Sequence, residues 1–341
     1  MGAINYRRFS CNVVTIVFIL FLGMKTPLQA QQNCSFPQRR TFSVEEDNKI
    51  RIYTPEVEDT VKLLVASDTH LWMSDEREND FQKFSKRMSD AYHVTRHYDT
   101  KEDTNPEKAF LETISKASNL KVDAIALLGD IFSYPSEAAI EWAAKNLNDS
   151  GIPYYYVCGN HDWHYEGMPG PLKDLRQKWI NNRLLKMFHG NDPMKYFVDL
   201  KGMRLLFIDN STYEISYEQL MFLQQQIETK KPLIVMMHIP LYATGRNVGF
   251  GCAHPDWKSS NDHSFELEKR EPWPRDGHSP VTFKFREEII NAPNVLAVFA
   301  GHIHKQSLDV MKGVPQFVTQ YNACGAFYDV VIIPQRAISV K

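Results

Sequence analysis

The 341-residue chain has almost no excess of charge of either sign: 39 Lys and Arg stand against 41 Asp and Glu, a formal net charge of -2. A surface built to hold a long polyanion needs a cationic surplus, so nucleic acid is not an expected partner. Cysteine is scarce, five residues in all. A chain of this length buries enough core to fold without a disulfide framework, which excludes the small disulfide-stapled classes. Cys11 lies in the N-terminal segment. Of Cys34, Cys158, Cys252 and Cys324, Cys158 reads as a small core thiol, and a Cys252–Cys324 bridge is the one pairing suggested by loop position. No internal repeat or low-complexity tract is present, and no apolar tail of the kind that directs a glycolipid anchor closes the chain.

The first thirty residues differ from the rest. Arg7 and Arg8 precede an apolar stretch from Val13 to Leu22, and Leu28-Gln29-Ala30 ends the segment. A basic start, a short apolar core and a small residue at the cut describe a secretory signal. The core is short for a spanning helix, although an uncleaved anchor is the competing reading. The expectation is a signal at 1–30 cleaved after Ala30, a secreted or extracytoplasmic protein, and no stable membrane anchor after cleavage. Residues 31–60 read as an N-terminal extension with a short strand at Ile50–Tyr53, and the catalytic domain as 61–341. Asn33, Asn148 and Asn210 sit in glycosylation sequons.

What the chain does contain is five short polar clusters, each following an apolar run: Asp68-Thr69-His70, Gly129-Asp130, Gly159-Asn160-His161-Asp162, His238, and Gly301-His302-Ile303-His304. The preceding runs, such as Leu63–Ala66 and Val295–Ala300, read as buried strands. Ligands in α/β folds bind beyond the carboxyl ends of strands, so these clusters should converge on one cleft. Helices near 106–117 and 136–148 make β-α-β steps, 196–208 reads as a hairpin, and Ser216–Glu228 as a capped helix. Strands are expected again at 316–319 and 327–333. Parallel steps mixed with hairpins suggest two packed mixed β-sheets with outer helices. Two insertions stand out. A charged one at about 74–104 reads as a solvated helical segment, or more sharply as a lid. A second at about 243–280, carrying His254, Trp257, His263, Trp273, Arg275 and His278, reads as a functional loop.

Carboxylate, amide oxygen and imidazole together suit Mn, Fe or Zn rather than Ca or Mg. There are more candidate ligands than one tetrahedral ion uses, which argues for two divalent or transition-metal ions sharing a carboxylate, with a bridging hydroxide as nucleophile. His161, beside Asn160, is placed to protonate a leaving oxygen or to stabilise phosphoryl charge.

These residues resemble the calcineurin-like metallophosphoesterase superfamily, whose ordered pattern is Asp-x-His, Gly-Asp, Gly-Asn-His-Asp/Glu, His and Gly-His-x-His. The resemblance covers about 61–306. It implies a four-layer α/β/β/α fold and a dinuclear metal centre. By position it implies Asp68, His70 and His304 as ligands of one metal, Asp130 as the bridge, Asn160, His238 and His302 as ligands of the other, and His161 as the catalytic histidine. The implied activity is hydrolysis of a small phosphomonoester or phosphodiester; a catalytically silent scaffold on the same fold is the alternative. Ser133 departs from the pattern, since the protein phosphatases carry there an Asp that orients the catalytic histidine and the purple acid phosphatases a metal-binding Tyr. The partner of His161 is thereby left unassigned, with Asp162 offered only as a group acting from behind the ligands.

Substrate-pocket candidates are Arg246, Tyr134, Trp163 and Tyr242, with Trp72 and His164, each within a few residues of an expected ligand. Arg246 stands out because a guanidinium grips phosphate as a fork. Asn210 could also line the cleft, unless it carries a glycan.

Overall fold

A computed structural model describes residues 41–258, 261, 265–271 and 276–335. The signal segment, Cys34, His263, Trp273 and Arg275 lie outside the described residues. In chain order the strands are β1 (Thr41–Glu45), β2 (Lys49–Thr54), β3 (Val61–Ala66), β4 (Thr95–Arg96), β5 (Asp103–Thr104), β6 (Ala124–Leu127) and β7 (Tyr154–Tyr156). There follow β8 (Lys195–Leu200), β9 (Met203–Ile208), β10 (Leu233–Met236), β11 (Val295–Ala300), β12 (Ser307–Met311), β13 (Val314–Val318) and β14 (Tyr328–Pro334). The helices are α1 (Gln82–Ala91), α2 (Pro106–Leu120), α3 (Glu137–Asp149), α4 (Leu172–Asn182), α5 (Tyr217–Glu228), α6 (Phe265–Glu268) and α7 (Pro280–Asn291).

Two six-stranded mixed sheets form the core, ordered β1-β2-β14-β3-β6-β7 and β12-β13-β11-β10-β9-β8. β3, β6 and β7 are parallel neighbours in the first; β9, β10, β11 and β13 are parallel neighbours in the second. The strands β6, β9, β10, β11 and β13 are buried along their whole length, β6, β10 and β11 being continuous apolar sequence, as strands covered on both faces are. The edge strand β12 instead alternates exposed and half-buried positions along most of its length. Rings cross between the sheets: Phe317 meets Phe42 and Tyr328, and Tyr155 meets Phe207. Burial of this shared apolar core is the main driving force holding the layers together.

The helices start where their sequences provide caps. The side chains of Asn105, Ser136, Ser216 and Ser279 each accept a backbone N–H in the first turn of α2, α3, α5 and α7, and Ser216 with Gln219 makes a full capping box.

The segment expected to be an extension contributes β1 and β2 to the first sheet. β14 returns beside β2 in parallel register, Ile50 opposite Val330, and on its other edge runs antiparallel to β3. The first insertion holds α1 and the small β4–β5 hairpin, and it is docked. Arg183 reaches from α4's end to Glu78 at 2.5 Å and to the Tyr165 hydroxyl at 2.9 Å, with all three groups buried. Arg87 pairs with Glu166, Thr95 Oγ1 donates to the Ala323 carbonyl at 2.6 Å, and Tyr98 N to that of Cys324 at 2.8 Å. The Cys252–Cys324 bridge does not form; both thiols are free and buried, as is Cys158. Asn210 is fully buried, which leaves no room for a glycan on the folded chain. No described helix is long and apolar enough to cross a membrane.

Candidate metal centre

The topology brings the five clusters to one edge. Asp68 and His70 follow β3, Asp130 follows β6, and Asn160 and His161 follow β7, three adjacent parallel strands of one sheet. His238 follows β10, and His302 and His304 follow β11, adjacent parallel strands of the other. Backbone bonds stitch the loops together. Asp68 N donates to Gly129 O at 2.9 Å, His70 N to Asp130 O at 3.0 Å, and Gly301 N to His238 O at 2.8 Å. Five of the seven candidate ligands, Asp68, His70, Asp130, His302 and His304, have φ between 50° and 71°. Non-glycine residues rarely adopt this left-handed conformation, and it persists where the surroundings over-determine it, as at functional sites.

Two acid–histidine groups result: Asp68, His70 and His304, and Asp130, His238 and His302, each with ligand atoms within 4.8 Å of one another. Asn160 lines the same cleft as Asp130 and His302, and its Oδ1 is buried with no hydrogen-bond partner.

The donor atoms fit a cation better than they fit each other. His70 Nε2 and His304 Nε2 face one another at 3.1 Å, so two neutral rings oppose lone pairs unless a proton or cation lies between. His238 Nδ1 lies 2.7 Å from the Leu128 carbonyl, to which it must donate, so Nε2 faces Asp130 Oδ2 at 3.1 Å, a spacing that a proton or a cation between them satisfies. Tyr213 Oη sits 2.8 Å from His302 Nε2, so His302 can offer Nδ1. Asp68 Oδ2 accepts from Ser67 Oγ at 2.6 Å and His302 N at 2.9 Å, while Oδ1 faces His304 Nε2 at 3.3 Å.

The electrostatics express the same demand. Burial pushes the Asp68 carboxyl up, but the hydrogen bond and charge of His304 outweigh it and hold the group at about 2. Burial likewise opposes ionisation of Asp130, yet the nearby histidines, His238 foremost, keep it well below the carboxylate range. Burial disfavours the His238 cation, but Asp130 beside it raises the ring to about 9. Burial lowers His70 strongly and His302 to about 3, leaving both as neutral donors.

Asp162 does not pair with His161. Its carboxylate accepts the backbone N–H groups of Asp130 at 2.8 Å, Phe132 at 2.8 Å and Gly159 at 2.6 Å, tying two ligand loops together. Burial first, and then the charge of Asp130, raises it to about 7. Ser133 Oγ donates to the His70 carbonyl at 3.0 Å, so it also serves the backbone rather than His161. His161 donates its own backbone N–H to Asp130 Oδ1 at 2.8 Å, lines the cleft, and has a buried Nδ1 without a hydrogen-bond partner.

Of the pocket candidates, Arg246 lines the cleft and Tyr134, Trp163 and Tyr242 do not. Tyr134 and Trp163 are in the core: the Tyr134 hydroxyl donates to Trp72 O at 2.6 Å, and Trp163 Nε1 to Ser211 Oγ at 3.0 Å. Apolar ring area outweighs proximity in sequence, and each polar tip finds an internal partner. Tyr242 packs on His254 and Arg286, while Trp72 stacks on His93. His164, His254 and His278 are buried. Three tyrosines near the histidines were not anticipated: Tyr213 on His302, Tyr92 stacked on His70, and Tyr321 stacked on His304. For Tyr213 a signal existed, since it follows β9, the parallel neighbour of β10 whose end carries His238.

Residues 61–306 match the model of a family described as calcineurin-like phosphoesterase. Among curated proteins, a probable cyclic nucleotide phosphodiesterase of Fibrobacter succinogenes is 29% identical over 142 residues, 41% of this chain and 50% of the relative. A second probable cyclic nucleotide phosphodiesterase, from a Psychrobacter species, is 24% identical over 217 residues, 61% of this chain and 54% of the relative. The chain thus spans about half the length of these curated relatives. Among solved structures, a dimetal phosphatase from Danio rerio aligns with a TM-score of 0.48 at 12% identity, covering 78% of this chain and 91% of the other.

Proposed function

We propose, since this chain belongs to the calcineurin-like phosphoesterase family, that it is an exported hydrolase of small phosphodiesters that uses two metal ions. The observation that carries this is the pair of acid–histidine groups at facing strand ends, beside a cleft lined by His161. Asp68, His70 and His304 would hold one ion; Asn160, His238 and His302 the other, with Asp130 between them. When bound, two such ions polarise the phosphoryl oxygens and activate water for in-line attack.

The chain's own residues supply the rest. Asp130 and Asp68 provide fixed negative charge, held ionised by the surrounding histidines. The backbone bond from His161 to Asp130 holds that ring at the cleft wall, with no carboxylate engaging its buried Nδ1. His161 passes a proton to the departing ester oxygen. The two curated relatives are named as probable cyclic nucleotide phosphodiesterases, which supports a diester over a monoester. Residues 1–30 have the sequence of an export signal, and N-terminal sequencing of the mature protein checks cleavage after Ala30.

The test is a kinetic panel of bis- and mono-nitrophenyl phosphate across Mn, Fe and Zn. Diester turnover that is lost with a chelator and restored by metal is expected. Asp130→Ala should abolish it, and His161→Ala should reduce it by at least about 100-fold while metal content is retained. Full turnover by Asp130→Ala, or none by the metal-replete wild type, overturns the assignment; the latter favours a silent scaffold.

A further inference from the structure

The cleft extends well beyond the candidate ligands. Its volume is about 820 Å³, within the range of sites that enclose a whole small molecule and far more than a phosphoryl group fills. Away from the metal groups its walls come from the start of the second insertion, including Arg246 and Phe250, and from the segment after His304, including Lys305.

Arg246 is held in place. Its Nε donates to Asp309 Oδ1 at 2.8 Å, and its guanidinium lies over the Phe250 ring at 5.0 Å. Among the described residues no other bond uses its side-chain nitrogens, so both terminal nitrogens remain for a ligand. The backbone carrying it is closed on itself. Tyr242 N donates to Cys252 O at 2.8 Å, Arg246 N to Ala243 O at 3.0 Å, and the Gln316 side chain holds Leu241 from both sides at 2.8 and 3.0 Å. Gly251, with φ of 69°, permits the closure, because a Cβ there would meet the Tyr213 ring at 2.9 Å. A guanidinium oriented this way loses little freedom on binding an oxyanion. Lys305 adds a second positive charge on the cleft, while Glu268 there is paired with Arg270.

We infer that the cleft holds a second anion subsite at Arg246, so that the preferred substrate is a phosphoester bearing a further phosphate or carboxylate group. This rests on the hydrolase reading for what happens at the metals, but the subsite itself can be measured by binding. The probes are alkanediol monophosphates and the matching bisphosphates, of graded chain length, titrated calorimetrically into the Mn-loaded protein. At the best-fitting length the bisphosphate should bind about tenfold more tightly than the monophosphate, the worth of one charge-assisted hydrogen-bonded contact. Arg246→Ala should remove that ratio while leaving monophosphate affinity unchanged. Arg246→Lys should keep part of it, and Asp309→Asn, which unties the guanidinium, should reduce it. Equal affinity for the two probes at every length, or a ratio unchanged in Arg246→Ala, overturns the subsite. A ratio that behaves as expected in a protein that hydrolyses no diester leaves the subsite standing and removes the hydrolase reading instead.

Discussion

Tyr92 lies flat on the imidazole of His70, with ring centroids 4.1 Å apart and planes 4° apart. A histidine that ligates a metal is usually oriented by a hydrogen bond at its other ring nitrogen. Nδ1 of His70, a candidate ligand, is buried and has no such partner, so the stacked Tyr92 ring is what braces the imidazole. Tyr92 caps the end of α1 in the first insertion, which the buried Glu78–Arg183 pair anchors. Tyr92→Ala should therefore weaken metal binding by about tenfold, the lower end of effects seen when a ligand's orienting partner is lost. Tyr92→Phe should keep wild-type affinity. Chelator competition measures both, and equal affinities in all three proteins would exclude the role.

Asp162 accepts three backbone N–H groups from the two loops that carry Asp130 and Asn160. An asparagine there keeps one acceptor and turns an NH₂ toward buried donors. Asp162→Asn should cost about 2–4 kcal/mol of stability. Urea denaturation of the metal-free protein is the measurement, and a loss within error of zero would refute the bridging role.

Gly159 has no space for a side chain: a Cβ would lie 2.1 Å from Asp130 Oδ1 and 2.3 Å from Asp130 N. Since Asp130 is buried and fixed by its neighbours, it must move. Gly159→Ala should lower diester turnover by about 100-fold or more, as displacement of a catalytic constellation by about 1 Å does. An alanine variant with wild-type kcat would show that the loop absorbs the change.

Glu214 anchors the end of the second insertion, accepting from Ser279 Oγ at 2.8 Å and Thr282 Oγ1 at 2.5 Å and facing His278 Nδ1 at 2.9 Å. Burial opposes its ionisation, but the hydrogen bonds of His278, Thr282 and Ser279 outweigh burial and bring its pKa below 4.5. A carboxyl lowered on folding contributes stability above its unfolded value, and that contribution is lost as pH falls through the folded value. Glu214→Gln should thus be less stable than wild type at pH 7, with the gap narrowing as pH falls below about 4.5. Thermal melts of both proteins from pH 7 to 3 follow this, and a gap constant with pH would contradict it.

The order of the chemistry was legible in the chain because each candidate ligand sits directly after an apolar run. Strand and loop are neighbours in sequence, so a short window contains both the buried segment and the residue at its end. Parallel β-α-β steps then imply that Asp68, Asp130 and Asn160 share an edge. The capped start of α5 was equally local, Ser216 and its first turn.

What a sequence window cannot contain is a pairing across hundreds of residues. The membership of β1 and β2 in the first sheet depends on β14 arriving between β2 and β3, Ile50 against Val330. The second-tier contacts are of the same kind. Tyr92, Tyr213 and Tyr321 reach the histidines from three separate segments, and Arg246 finds Asp309 on β12. Tyr134 and Trp163, close in sequence to candidate ligands, turn into the core because their rings gain more from burial than from solvent. The sequence alone thus determined which residue types stand at which strand ends, since that is a property of local pattern. Only the tertiary structure decided which of them meet, what orients them and which side chains form the cleft, because those depend on contacts made when distant segments pack.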